Sequence, residues 1–138
     1  MSLIHGLLRD RRGATAVEFA MVAPLLIAVI LMVIEGNRFL WTSQAIQEAA
    51  SHAARCVAIG SPDCDTDVEA SAFALQRAAT MGITVPASGV AIARNQTCYG
   101  VADMSRVNLD LAFNSPIANI VPAFPERVTA EACFPNLG

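Results

Sequence analysis

Lysine is absent from this sequence, so every fixed positive charge is a guanidinium. Charge of either sign is scarce, with 15% Asp, Glu, Lys and Arg and a net charge of -3 over 138 residues. Residues 35–138 carry six Arg against ten Asp and Glu. That acidic balance excludes the basic face that phosphate backbones require, so no nucleic-acid partner is expected. Histidine is nearly absent too. His5 lies near the N-terminus, and His52 sits among alanines with no second metal ligand at helical spacing, which makes it a surface or groove residue. No nucleophile elbow, Walker loop or H-E-x-x-H occurs. Asp63-Cys64-Asp65-Thr66-Asp67 has the spacing of a calcium loop, but Val68 stands where the turn needs glycine and Ala74 where it needs a bidentate glutamate. Acidic residues before a helix, favoured by its dipole, account for the run. These gaps predict no catalytic residues, no metal and no cofactor: the chain is not expected to be an enzyme. There is also no internal repeat and no low-complexity linker.

What is present is apolar, 54% of the residues, and unevenly spread. Ala14–Ile34 contains one charged residue, Glu18, and Phe19–Ile34 is unbroken apolar sequence. As a helix these 21 residues rise roughly 30 Å, the thickness of a bilayer core. Arg9, Arg11 and Arg12 precede the run, which predicts a cytoplasmic N-terminus and an exported remainder. Glu35, Asn37 and Arg38 end the hydrocarbon zone, and Phe39 and Trp41 suit an interfacial aromatic belt. A cleaved signal peptide would have a shorter apolar core, and Ile34-Glu35-Gly36-Asn37-Arg38-Phe39 is a poor signal-peptidase site. An uncleaved or differently cleaved anchor is therefore expected. Glu18 stands out within it, because a mid-bilayer carboxylate costs about 2.5–3.5 kcal/mol on insertion scales. At headgroup depth it would cost little.

The residues around Glu18 carry more. Arg11-Arg12-Gly13-Ala14-Thr15-Ala16-Val17-Glu18-Phe19 resembles the prepilin-peptidase site of type IV pilins, with glycine five residues before glutamate at the mouth of an apolar helix. The resemblance implies cleavage after Gly13 on the cytoplasmic side, leaving Ala14 as the first mature residue. It also implies a role for Glu18 in neutralising the N-terminal amine of a neighbouring subunit. A charge pair desolvated in an apolar bundle is far stronger than one in water, so it can set assembly register. The longer string through Phe19 and Pro24 resembles the TadE group, which opens with an arginine-rich leader, G-x-x-x-x-E-F and an early proline. The likeness runs over about residues 9–60, including Glu35-Gly36 and the alanine-rich stretch Ala49-Ala50 to Ala54-Arg55. Pro24 is either a tolerated membrane proline or a flexible joint used on packing, and should loosen the helix near Ala20.

Beyond the membrane Ile46, Ala49, Ala50, Ala53 and Val57 form an amphipathic stripe, ended by Gly60 and Pro62. One helix is predicted from about Ala14 to Ile59. Thr66 and Glu69 fit a capping box opening a second helix, Asp67–Met81, with Val68, Ala72, Leu75 and Ala79 on one face. Residues 90–94, 107–113 and 128–134 read as strands. The expectation is an α+β fold, a small antiparallel sheet packed on the distal half of the long helix. Ile117, Ile120, Val121 and Phe124 lie in a proline-bounded loop that is either a core lid or a partner surface, and a lid over the open face of that sheet is the expectation. The four cysteines, Cys56, Cys64, Cys98 and Cys133, lack C-x-x-C spacing and fall in the exported part, so disulfides are favoured over zinc. Of three connectivities, Cys56–Cys64 with Cys98–Cys133 is preferred, stapling the helix end to its loop and the first strand to the third.

The organisation read from the sequence is a cytoplasmic leader (1–13), a membrane segment (14–34) and a periplasmic module (35–138) in the bacterial inner membrane. The TadE resemblance implies a minor pilin-like subunit of a tight-adherence pilus, with prepilin peptidase, other pilins and the assembly platform of the inner membrane as partners. A minor pseudopilin of type II secretion and a bitopic periplasmic binding module are the alternatives.

Overall fold

The computed structural model describes residues 11–137. Arg9 and His5, from the leader, lie outside the described residues. Helix α1 spans Arg11–Ala58, 48 residues, and continues through Pro24. Its start lies three residues before the expected Ala14, so Gly13 sits within the helix. Its end is a Schellman motif. Gly60 adopts φ +64°, its N–H donates to Val57 O and the Ser61 N–H donates to Cys56 O, both at 3.1 Å. Only glycine takes that left-handed angle without strain, which is why the apolar stripe stops there.

The chain divides into two compact units after Gly36. In the first, every residue from 13 to 34 is exposed except half-buried Ala23. The second, beginning at Asn37, has its own core. There the distal half of α1 is joined by α2 (Asp67–Thr80) and by strands β1 (Val90–Cys98), β2 (Val101–Ala112) and β3 (Arg127–Pro135). The strands form one antiparallel sheet in the order β1-β2-β3. The fold is α+β.

The expected strands are all present but longer than their alternating cores. The β1–β2 hairpin closes through Tyr99 (φ 52°) and Gly100 (φ 82°), between the paired residues Cys98 and Val101. Two positive φ angles in a two-residue loop match the right-handed twist of the strands. Register shifts between Ala93 and Gln96, and again before Cys98, break the alternation from which strand length is judged. From β2 to β3 the register is regular, Met104↔Pro135 through Ala112↔Arg127.

The capping box at the start of α2 is complete. Thr66 Oγ1 accepts from the Glu69 N–H at 3.2 Å, and Glu69 Oε2 accepts from the Thr66 N–H at 2.9 Å. The buried face of α2 is not the expected one, however. Ala70, Ala74 and Ala78 are fully buried, whereas Val68 is 79% exposed and Ala72 and Ala79 face outward. Leu75 alone of the expected set packs on the core. One core cluster holds alanines of α1 (Ala49, Ala50, Ala53, Ala54) with Ala74 and Ala78 of α2 and Val107, Leu109, Val128 and Ala130 of the sheet, with Leu75 packed against it. Small methyl side chains fill these buried positions, and Val68 stays outside.

Phe39 is a second correction. It is not a belt residue but part of the core, edge-to-face on Phe113 (5.6 Å) and Phe124 (6.2 Å). Trp41 is 60% exposed, as a belt residue would be, and its Nε1–H donates to Met81 O at 3.3 Å. In the proline-bounded loop, Ile117 is buried and Phe124 joins the aromatic cluster, covering the sheet end. Ile120 instead points outward, 77% exposed.

Candidate processing and assembly segment

Thirteen large apolar side chains between Val17 and Ile34 are exposed. At about 1.5–3 kcal/mol each, leaving them in water forfeits roughly 20–40 kcal/mol. That exceeds the whole stability of an ordinary domain, about 5–15 kcal/mol, so lipid or protein must cover this surface. The helix is long and apolar enough to cross a membrane, and the segment is compatible with single-pass anchoring.

Gly13, Ala14, Glu18, Phe19 and Pro24 all lie on this part of α1, and all are exposed, Phe19 by 72%. A Cβ built at Gly13 would meet nothing within 4 Å, and the residue is helical. The fold therefore does not demand glycine here. Within a helix glycine even costs about 0.5–1 kcal/mol relative to alanine. Ala14 and Glu18 are one helical turn apart, a rise of about 6 Å along one face. A chain beginning at Ala14 would thus present an amine and a carboxylate at neighbouring heights on the helix end.

The structure joins Cys56 to Cys64 and Cys98 to Cys133, with Cα separations of 5.9 and 6.4 Å. The first bond sits in a small satellite core of Cys56, Val57, Cys64 and Ala70, under Phe73 and Ile92. The second ties the end of β1 to β3, across β2.

Away from the helix, among the described residues, no group of three or more His, Cys, Asp or Glu could hold a metal ion. His52 lies on the exposed face of α1, 3.7 Å from Glu48, which in turn lies 3.8 Å from Arg77. Of the acidic run, Asp67 receives Arg94 Nε at 2.8 Å, and Arg94 also donates to Cys64 O. An open depression of about 670 Å³ brings Ser115, Glu126 and Arg127 together. Ser115 Oγ accepts from the Ile117 N–H, and Arg127 forms a bidentate pair with Asp110. Sequence reasoning missed that pair. Its signal was opposite charge at Asp110 and Arg127 on strands whose register is hard to read beforehand.

Compared with known proteins, the chain matches the family described as TadE-like protein over residues 13–55. The match opens at Gly13 and takes in Glu18, Phe19, Pro24 and the alanine-rich stretch of α1. No curated protein and no solved structure matches the chain. Over residues 13–55, the segment that carries the exposed apolar helix, the chain is similar to the TadE-like family.

Proposed function

We propose that this chain is a minor pilin-like subunit, a pseudopilin, required for assembly of a Tad/Flp adhesive pilus. Residues 1–13 form a cytoplasmic leader, 14–34 cross the inner membrane and 35–138 form a periplasmic module. Prepilin peptidase removes the leader after Gly13. The mature helix then packs against other pilins and the assembly platform, with Glu18 facing the new amine of a neighbour and Phe19 and Pro24 shaping the apolar contact.

One observation carries this reading. Gly13 opens the matched segment at a place where the fold has room for a side chain and the helix would be steadier with one. A glycine without a structural reason, next to a helix whose apolar surface needs cover, is what a peptidase recognition position would leave. Glu18 supports the same reading, as a charged group at the end of a surface otherwise suited to lipid.

Intact mass and N-terminal sequencing of membrane-extracted protein test it. Mature chains should begin at Ala14, and Gly13→Leu should leave the longer precursor in the membrane. A mature start beyond Ile34 would mean signal-peptidase cleavage and would sink the reading.

A further inference from the structure

The two outer edges of the sheet are unlike. On the β1 side, register shifts flank Gln96, and Asn95 (φ 54°) and Asp103 (φ 59°) stand in the left-handed region beside it. Arg94 of the same strand donates to Asp67 at 2.8 Å and to Cys64 O at 2.9 Å, which ties it to the start of α2. Bulges and covering groups of this kind close an edge to further pairing. On the β3 side the ladder is unbroken. All nine residues of β3 pair with β2 in one register, and no strand among the described residues lies beyond them.

One hydrogen bond fixes which backbone groups β3 turns outward. Phe113 N–H donates to Glu126 O at 2.7 Å, one step beyond the Ala112↔Arg127 pair, so 113 and 126 are a hydrogen-bonded pair. Such pairs alternate along an antiparallel ladder. Val128, Ala130 and Ala132 therefore direct their backbone groups to β2, while those of Arg127, Thr129, Glu131 and Cys133 point away from the sheet. Gln47 agrees with this phase, since its Nε2 donates to Glu131 O at 2.9 Å from the α1 side. Among the described residues no side chain does the same for Thr129 or Cys133. Gln47 also links the edge to an open groove of about 410 Å³, lined with it by Gln44, Ser51 and Arg55 of α1 and by half-buried Phe134 of β3. Arg55 is exposed there and forms no ion pair among the described residues.

We propose that the outer edge of β3 is a strand-addition site for another protein. Its occupant is an extended segment that pairs with residues 127–133 and sets an acidic side chain against Arg55. The outward backbone groups specify an extended chain, and the unpaired guanidinium specifies the charge. A bare segment fits beside β3, because paired strands lie only about 4.8 Å apart. A second copy of this chain would bring its own α1 to the same edge, where two helices need about 8–10 Å. The exposed charges of Arg127 and Glu131 keep the edge from pairing indiscriminately. The site lies wholly within the unit that begins at Asn37, so it stands whether or not Gly13 is a cleavage position.

A random peptide library displayed on phage, panned against the full chain in lipid nanodiscs, supplies the probe, with empty nanodiscs as the blank. Enriched peptides should be rich in β-branched residues and carry an acidic residue near one end. Fluorescence anisotropy then reads their affinity. Thr129→Pro deletes an outward N–H that β2 does not use, so the sheet should survive while binding falls about tenfold or more. Thr129→Ala keeps that N–H and should leave binding unchanged. Arg55→Gln should weaken binding several-fold, and only for peptides whose acidic residue is intact. Far-UV circular dichroism and the absence of free thiols establish the folding of each variant. Amide exchange on the unaltered chain needs no variant: bound peptide should slow Thr129 and Cys133 about tenfold or more and leave Ala130 as it was. No enrichment over empty nanodiscs would overturn the proposal. So would peptides that Thr129→Pro binds equally well, or that leave the Thr129 and Cys133 amides unslowed. Self-association of the full chain that Thr129→Pro abolishes would give the edge to a second copy, and would overturn it too.

Discussion

At the scale of single residues, two carboxylates show how environment sets what a charge can do. Glu69 is bound by the Thr66 N–H and hydroxyl, and these hydrogen bonds to its ionised form hold its pKa below the usual 4.5. The sign follows directly. The unfolded chain takes up this proton at higher pH than the folded one, so the contribution is fully present above about pH 4.5 and is lost as pH falls through the lower, folded value. Acid titration of the module should therefore show part of its loss of stability below that pH. Glu69→Gln should flatten the slope there and lower the neutral-pH melting temperature slightly, toward that of the acid-titrated protein. Separately, Thr66→Ala removes the N-cap and should cost about 1 kcal/mol at neutral pH. Glu18 has a different setting, on a helix face exposed among apolar side chains. Glu18→Gln keeps its size and deletes its charge. Insertion should become slightly easier, since an amide is cheaper to bury than a carboxylate. Cleavage after Gly13 should persist, and assembly should fail, because a neighbour's ammonium would stay unpaired at a cost of several kcal/mol. Crosslinking to other pilins and counts of surface pili measure this, and wild-type values would demote Glu18 to a tolerated interfacial residue.

At the scale of elements, packing between α1 and α2 is governed by alanine. Ala74→Leu adds three heavy atoms at a fully buried position of the alanine-rich core, and should destabilise by about 1–3 kcal/mol through overpacking. Val68→Ala, on the same helix but 79% exposed, should change the melting temperature little. The reverse ranking, read by thermal melts of the two variants, would restore the Val68 face to the core. The contrast also shows what a sequence can and cannot disclose. The capping box fixed where α2 begins because Thr66 and Glu69 satisfy each other locally, and Gly60 marked the end of α1 because its backbone angle is local too. Which face of α2 turns inward depends on the partner. Alanine carries little hydrophobic signal, so a large residue such as Val68 outweighs it in any periodicity reading, although tight helix packing prefers the smaller. Phe39 was hidden for the same reason. Beside a membrane run it looks like a belt aromatic, and only Phe113 and Phe124, some 75 to 85 residues later, make it core. The N-terminal segment was more legible, since Gly13, Glu18 and the apolar run lie within one continuous helix and need no tertiary partner to be read.

At the scale of the whole molecule, the two units differ in what they bury. Among the described residues, every buried apolar residue of the core lies between Ala45 and Ala132, and residues 13–34 contribute none. The module therefore owes its hydrophobic stabilisation to its own residues, with the satellite core and both disulfides inside its bounds. Small cores of this kind, rich in alanine, bury little area per residue and depend on covalent closure. In the chain-entropy model Cys98–Cys133, with a sequence separation of 35, contributes about 4 kcal/mol, and Cys56–Cys64, with a separation of 8, about 2.5 kcal/mol. Residues 37–138, exported behind a cleavable signal, should accordingly fold as a soluble α+β domain with no free thiol. Cys98→Ser with Cys133→Ser should lower its stability more than Cys56→Ser with Cys64→Ser. Urea unfolding followed by circular dichroism, with the mass of the alkylated protein as a thiol count, measures both. Should the exported module remain unfolded, its core would need residues 1–36 or a partner, and anchoring and folding would be one event. A folded module that fails to support piliation is the expected outcome, because assembly is assigned to the helix that this truncation removes.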